Sequence, residues 1–132
     1  RYFIDTSVWI EFFRKKEPWY SLVAEWIDRD MVCYNGLVYA ELLQGAKSER
    51  EIKTIREFVH VFDCLEDLPE LWEKAGMLSY RMRRKGKTIG LADCYISVVA
   101  EHFKVVLVTL DRHFRTLKKE LDFALYKLSK TH

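Results

Sequence analysis

Tyr2-Phe3-Ile4-Asp5-Thr6-Ser7 runs straight into Val8-Trp9-Ile10-Glu11-Phe12-Phe13, and this first stretch decides the class of fold. Three large apolar residues with aromatic and β-branched character suit a strand buried on both faces. Thr6 and Ser7 then offer hydroxyls to cap the helix that follows. A carboxylate, Asp5, stands where the strand ends. A polar helix start accounts for it, yet a bare carboxylate behind three apolar residues is costly without a partner. The same sequence of apolar strand and acid returns late in the chain, where Val105-Val106-Leu107-Val108 leads into Thr109-Leu110-Asp111.

Strand-like and helix-like segments alternate between these two strands. Pro18 is placed near the start of a helix carrying Leu22, Val23, Trp26 and Ile27 at helical spacing. Met31 to Tyr34 reads as a second strand, and Gly36 to Gly45 as a helix stopped by Gly45. Residues 48–60 form an amphipathic helix with Ile52, Ile55, Phe58 and Val59, and Val61 to Leu65 is expected to be a third strand. Pro69 begins a long helix with Leu71, Trp72, Ala75, Leu78 and Met82 on its apolar positions. Asp93 is expected to cap a further helix running to about Phe103. The strand at 105–108, a short helix around 112–121 and a last strand at 123–126 complete the chain. No linker, repeat or low-complexity tract interrupts it. The expectation is one domain over residues 1–132, of the α/β class, with three α/β/α layers around a mainly parallel sheet. Such sheets bind ligands outside the carboxyl ends of their strands, where strand order reverses. If the strands bearing Asp5 and Asp111 are neighbours, the two carboxylates meet in that crevice.

The bulk composition excludes little. A chain of 132 residues, 49% hydrophobic and 32% charged, is ordinary for a globular domain, and a net charge of +2 names no partner. Its distribution says more. Five acids and no base lie between Phe62 and Glu73, whereas Arg81, Arg83, Arg84, Lys85 and Lys87 follow one another without an acid. The basic cluster suits a polyanionic substrate and equally suits a solvated helix face. Cys33, Cys64 and Cys94 are widely spaced, form no CxxC pair, and read as buried reduced thiols of a cytoplasmic protein. No signal-peptide pattern or long apolar span is present, so no membrane association is expected. The chain opens at Arg1 without a Met, and native residues are expected before it.

Two more acids join Asp5 and Asp111 as candidates. Glu41 lies in an apolar helical stretch with no charged residue at i±4 to pair with it, although a solvated edge position also accounts for it. Asp93 lies in Gly90-Leu91-Ala92-Asp93-Cys94-Tyr95-Ile96 at the head of the most apolar helix. It reads as a cap, and a helix N-terminus also keeps a carboxylate ionised near a metal. Asp111 too reads as a cap; Thr109, two residues earlier, points to the same side if the strand extends that far. Acids that converge raise one another's pKa, and the usual reason for convergence is a divalent cation held by oxygen ligands. His113 lies near the proposed site without an evident base or nucleophile partner, and Glu11, one helical turn past Ser7, reads as a fifth acid near the site or, more simply, as a surface residue. No Ser/His/Asp or Cys/His arrangement, P-loop or GxGxxG is present.

Taken in order, Asp5-Thr6-Ser7, Ala40-Glu41-Leu42, Ala92-Asp93 and Thr109-Leu110-Asp111-Arg112-His113-Phe114 resemble the four acidic motifs of PIN-domain ribonucleases. Within that superfamily the chain most resembles the VapC toxins of bacterial and archaeal toxin–antitoxin pairs. The likeness spans the whole chain. It departs at Val38, where a Ser or Thr often stands three residues before the acid, and at Gly36, where a β-branched residue is common. The resemblance implies a Mg²⁺- or Mn²⁺-dependent endoribonuclease acting on structured tRNA or rRNA and leaving a 5′-phosphate and a 3′-hydroxyl. It implies that Asp5, Asp93 and Asp111 chiefly hold the metal, and that Glu41 holds a second ion with Asp93 or acts through metal-bound water. Thr6, Ser7 and Thr109 would position waters or phosphate oxygens, and Arg83, Arg84, Lys85 and Lys87 would contact RNA. It also implies a homodimer silenced by a small antitoxin whose tail enters the acidic groove. Trp9, Phe12, Phe13, Trp19 and Trp26 would line a groove for the antitoxin helix or else pack in the core.

Other readings remain in play. A PIN nuclease of RNA processing, or a catalytically silent PIN module that binds RNA or protein, shares the motifs. A phosphatase with a strand-end nucleophile would want Asp-x-Asp, but Ser7 occupies the second position. A receiver domain would want adjacent acids ahead of the phosphoacceptor strand, and these are absent.

Overall fold

The computed structural model describes residues 1–128. In chain order the elements are β1 (Tyr2–Ile4), α1 (Thr6–Phe13), α2 (Trp19–Asp28), β2 (Val32–Tyr34), α3 (Gly36–Gln44), α4 (Glu49–Val59), β3 (Asp63–Cys64), α5 (Pro69–Arg84), α6 (Leu91–Phe103), β4 (Val106–Val108), α7 (His113–Leu117) and β5 (Ala124–Leu125). All five strands are parallel and their order is β3-β2-β1-β4-β5. Phe3 lies between Cys33 of β2 and Leu107 of β4. From β1 the chain steps one way to β2 and β3, then returns across the sheet to β4 and steps the other way to β5. Parallel crossovers are right-handed, so opposite steps place their helices on opposite faces. The result is the expected three-layer α/β/α sandwich: α1 packs on α2 and α3, and α3 on α4, while α5 and α7 pack on α6.

Burial explains the strands. Phe3, Ile4, Leu107 and Val108, the central residues of β1 and β4, are fully buried. Each such side chain contributes roughly 1.5–3 kcal/mol over an exposed one. Residues Cys94 to Ala100 of α6 are buried without a break, so this helix is covered on every side along that stretch. Aromatic packing fastens the layers. Trp9 of α1 meets Phe12, Phe13, Phe58 and Phe62, Tyr2 stacks on Trp26 at 4.0 Å, and Trp72 of α5 stacks on Tyr95 of α6 at 3.5 Å.

Several local expectations change. Asp5 itself caps α1 by accepting from the Ser7 N–H, and Thr6 and Ser7 are the first two helical residues. A carboxylate accepts a backbone N–H more strongly than a hydroxyl does. Gly90 precedes α6, which leaves Asp93 third in the helix rather than at its cap. Cys64 is exposed because β3 is a two-residue edge strand, while Cys33 and Cys94 are buried. No helix among the described residues is long and apolar enough to cross a membrane.

Candidate active site

The reversal of strand order falls between β1 and β4, and the carboxyl ends of these two strands carry the first part of the site. Asp5 follows β1 directly, and its N–H donates to the Val108 carbonyl at 3.0 Å. Its side chain is only 8% exposed. Asp5 Oδ1 accepts from the Ser7 N–H at 3.0 Å and from Ser7 Oγ at 2.6 Å, and Oδ2 accepts from Thr109 Oγ1 at 2.5 Å. Both hydroxyls work twice. Ser7 Oγ accepts from the Leu110 N–H and Thr109 Oγ1 from the Asp111 N–H, each at 3.0 Å. The turn after β1 is thereby stitched to the loop after β4. Burial pushes the Asp5 carboxyl up to about 6, because loss of water outweighs the hydrogen bonds that favour its ionised form.

The second part of the site is more open. Asp93 projects from the first turn of α6, Asp111 from the loop after β4, and His113 from the start of α7. His113 Nδ1 donates to Asp93 Oδ2 at 3.1 Å and lies 3.5 Å from Asp111 Oδ1, which also accepts the His113 backbone N–H at 2.9 Å. One ligand atom from each of these three residues lies within 4.8 Å of the others. Desolvation raises the pKa of Asp93, the hydrogen bond from His113 lowers it, and the Asp111 charge raises it further. The bond to Asp93 and the charge of Asp111 together raise the pKa of His113.

Glu41 joins from a third side. Thr6 Oγ1 donates to Glu41 Oε1 at 3.0 Å, so Glu41 of α3 is tied to the residue next to Asp5. Beside it opens a cavity of about 330 Å³ between α1, α3 and α4, lined among others by Thr6, Ile10, Phe13, Glu41 and Leu42. Asp5, Asp93 and Asp111 thus share one hydrogen-bond network at the carboxyl edge of the sheet, and Glu41 stands beside it, bonded to Thr6. Of the four acids only Asp93 and Asp111 share the tight cluster. The hydroxyls of Thr6, Ser7 and Thr109 each hold an acid in this structure.

The remaining candidates fall elsewhere. Arg83, Arg84, Lys85 and Lys87 are exposed at the end of α5 and in the loop that leads to α6. Lys85 pairs with Glu120 at 2.6 Å, and none of the four bonds to a site acid among the described residues. Trp9, Trp19 and Trp26 are core residues, at most 9% exposed, and so cannot line a groove; Phe12 and Phe13 are partly buried. Two residues carry more than the sequence reading assigned them. His113 has two carboxylate partners after all, brought to it by the turn that Asp111 caps. Asn35 caps α3 by accepting from the Val38 N–H at 3.0 Å, while its own Nδ2 is buried without a partner. An Asn three residues ahead of Val38 was the available signal for that cap.

The sequence profile of the PIN domain matches residues 2–120. No curated protein matches the chain by sequence. Among solved structures, VapBC2 from Rickettsia felis bound to a DNA fragment from their promoter has a TM-score of 0.75 at 18% identity, over 97% of this chain and 98% of that one. DNA-bound VapBC from Salmonella typhimurium has a TM-score of 0.75 at 21% identity, over 96% of each chain. VapBC-1 from nontypeable Haemophilus influenzae has a TM-score of 0.74 at 21% identity, again over 96% of each. At these identities the likeness is one of fold. Because the profile runs from β1 through α7 and takes in all four acids, the chain belongs to the PIN domain family.

Proposed function

We propose that this chain is a divalent-metal-dependent endoribonuclease and the toxin of a toxin–antitoxin pair. The observation that carries the proposal is the pairing of β1 with β4, which joins Asp5 to the Asp111 backbone through Thr109, with Asp93 of α6 close to Asp111. Clustered carboxylate oxygens suit Mg²⁺ or Mn²⁺. A buried Asp5 that resists ionisation has the environment a nearby cation would relieve. In this reading Asp93 and Asp111 hold the ion at the rim, and Asp5 supports it from below. Bound there, the ion would acidify a water and neutralise charge on the scissile phosphate. Glu41, aligned by Thr6, orients the attacking water from the α3 side. Exposed Arg83, Arg84 and Lys87 attract the RNA backbone towards the loop before Asp93.

The shared fold with VapBC chains supports the toxin reading, and so does the cavity beside Glu41, whose Ile10, Phe13 and Leu42 offer an apolar seat to an antitoxin segment. Exposed Met77 and Tyr80 on α5 offer a face to a second copy in the cytoplasm. Structured RNA, tRNA or rRNA, is the proposed substrate. The test is to incubate the full chain with total cellular RNA and Mg²⁺ or Mn²⁺ and to map new 5′ ends. Discrete ends bearing 5′-phosphate are expected, absent with a chelator and reduced at least about 100-fold in Asp93→Asn. A folded wild-type protein that leaves every RNA intact with either ion would sink the reading.

A further inference from the structure

We infer that His113 is itself a metal ligand, and that it biases this site towards Mn²⁺ and later first-row ions over Mg²⁺. The inference rests on the metal-centred reading above and concerns which side chains complete the ligand set. The tight cluster of possible ligand atoms is not three carboxylates but Asp93, Asp111 and His113. Asp5 is outside it, and each Asp5 oxygen already accepts a hydroxyl. His113 Nδ1 lies 3.1 Å from Asp93 Oδ2 and 3.5 Å from Asp111 Oδ1. An octahedral ion with bonds of about 2.1 Å has adjacent ligands about 3.0 Å apart. His113 Nδ1 already stands at close to that spacing from a carboxylate oxygen of each acid, and ligand atoms of all three residues lie within 4.8 Å of one another. To serve as a ligand, the imidazole would keep its one proton on Nε2 and present Nδ1 unprotonated; an imidazolium would release its Nδ1 proton to solvent, and a neutral ring protonated on Nδ1 would exchange to the Nε2 tautomer through water.

The chemistry of the donor decides the selectivity. Mg²⁺ prefers oxygen ligands and gives up water reluctantly, whereas imidazole nitrogen favours ions later in the first transition row. The backbone supports the placement. Asp111 Oδ1 accepts the His113 N–H and pins the turn, and α7 follows with Phe114 and Leu117 buried, so the ring is delivered from an anchored helix start. A mere hydrogen-bonding role predicts a different outcome, because glutamine at this position keeps an N–H donor for Asp93 but has no imidazole nitrogen.

The test measures binding rather than turnover. The full chain is titrated calorimetrically with MnCl₂ and separately with MgCl₂, and pulsed electron paramagnetic resonance of the Mn²⁺-loaded protein is examined for coupling to a directly bound nitrogen. The wild type is expected to bind Mn²⁺ at least about tenfold more tightly than Mg²⁺ and to show the coupling. His113→Gln should lose the coupling and about 10- to 100-fold of Mn²⁺ affinity, while Mg²⁺ affinity changes less than about threefold. No nitrogen coupling in the wild type, or equal losses for both ions in His113→Gln, overturns the inference. Asp93→Asn separates the two levels of the argument. It should abolish binding of both ions; unchanged binding of either would overturn the metal-site reading itself, whatever His113 does.

Discussion

Asp5 and Asp93 lie at one edge of one sheet, yet the fold treats them in opposite ways. Asp5 is buried at the foot of the site, and three donors from Ser7 and Thr109 occupy its two oxygens. Asp93 stands at the rim on the first turn of α6, and its one side-chain partner among the described residues is His113, which is half exposed. The foot is organised by the protein's own donors. The rim is left open, with two carboxylates and an imidazole facing one another. The difference teaches how one sheet edge accommodates a charged cluster. Hydroxyls that each serve two partners hold the buried acid, and an imidazole sits between the exposed ones.

The comparison is broken most severely at the rim. Asp93→Asn is expected to lower kcat/KM for RNA cleavage by roughly 10²–10³-fold while leaving the thermal midpoint nearly unchanged, since the residue is only partly buried. Comparable activity in the variant would place the chemistry elsewhere.

At the foot the expected effect is on stability and depends on pH. The Asp5 carboxyl is raised from 3.8 to about 6 in the fold, so the native state binds more protons than the unfolded chain between those values. Stability of the metal-free protein from this group is therefore present below about pH 4 and falls as pH rises, being lost above about 6. The gap corresponds to about 3 kcal/mol. Urea melts from pH 4 to 7 should show the fall in the wild type relative to Asp5→Asn, which has no charge to bury. Parallel curves for the two proteins would refute this account of the foot. A saturating divalent ion should flatten the wild-type curve, because it favours the ionised carboxylate.

Thr109→Val tests the link between foot and rim. It removes the donor to Asp5 Oδ2 and the acceptor of the Asp111 N–H while keeping the shape of the side chain. A loss of about 2 kcal/mol is expected at pH 7, measured by denaturant unfolding, and less at pH 5, where Asp5 is protonated more often. The smallest effect belongs to a control outside both regions. Gly76 lies mid-helix in α5 with nothing within 4 Å of where a Cβ would stand. Gly76→Ala should stabilise the protein by about 1 kcal/mol and leave metal binding and cleavage alone. A change in either would mean that α5 reports to the site.

Much of this was legible in the residues. Strand ends were marked by apolar runs that stop at acids, and the alternation of strand and helix implied a parallel sheet between helical layers. The central elements fall within a residue or two of their expected places. The terminal ones were overdrawn, since α7 spans five residues and β5 two. Edge strands and short helices carry little periodicity to read. The tryptophans illustrate a second limit. Trp9, Trp19 and Trp26 fit a groove or a core equally well on spacing, and only packing against Phe58, Phe62 and Tyr126 decides for the core.

The sequence by itself determined that Asp5, Glu41, Asp93 and Asp111 occur in a set order, Glu41 inside a helix and the other three at the starts of helices or the ends of strands, because local pattern is enough to reveal strand, cap and turn. Tertiary structure alone decided that β1 and β4 are neighbours, and hence that Thr109 reaches Asp5 across 104 positions. It also decided that His113, and not Asp5, completes the close cluster with Asp93 and Asp111. The physical reason is that hydrogen-bond partners and ligand spacing depend on which distant backbones the core brings side by side, and no local periodicity encodes that choice.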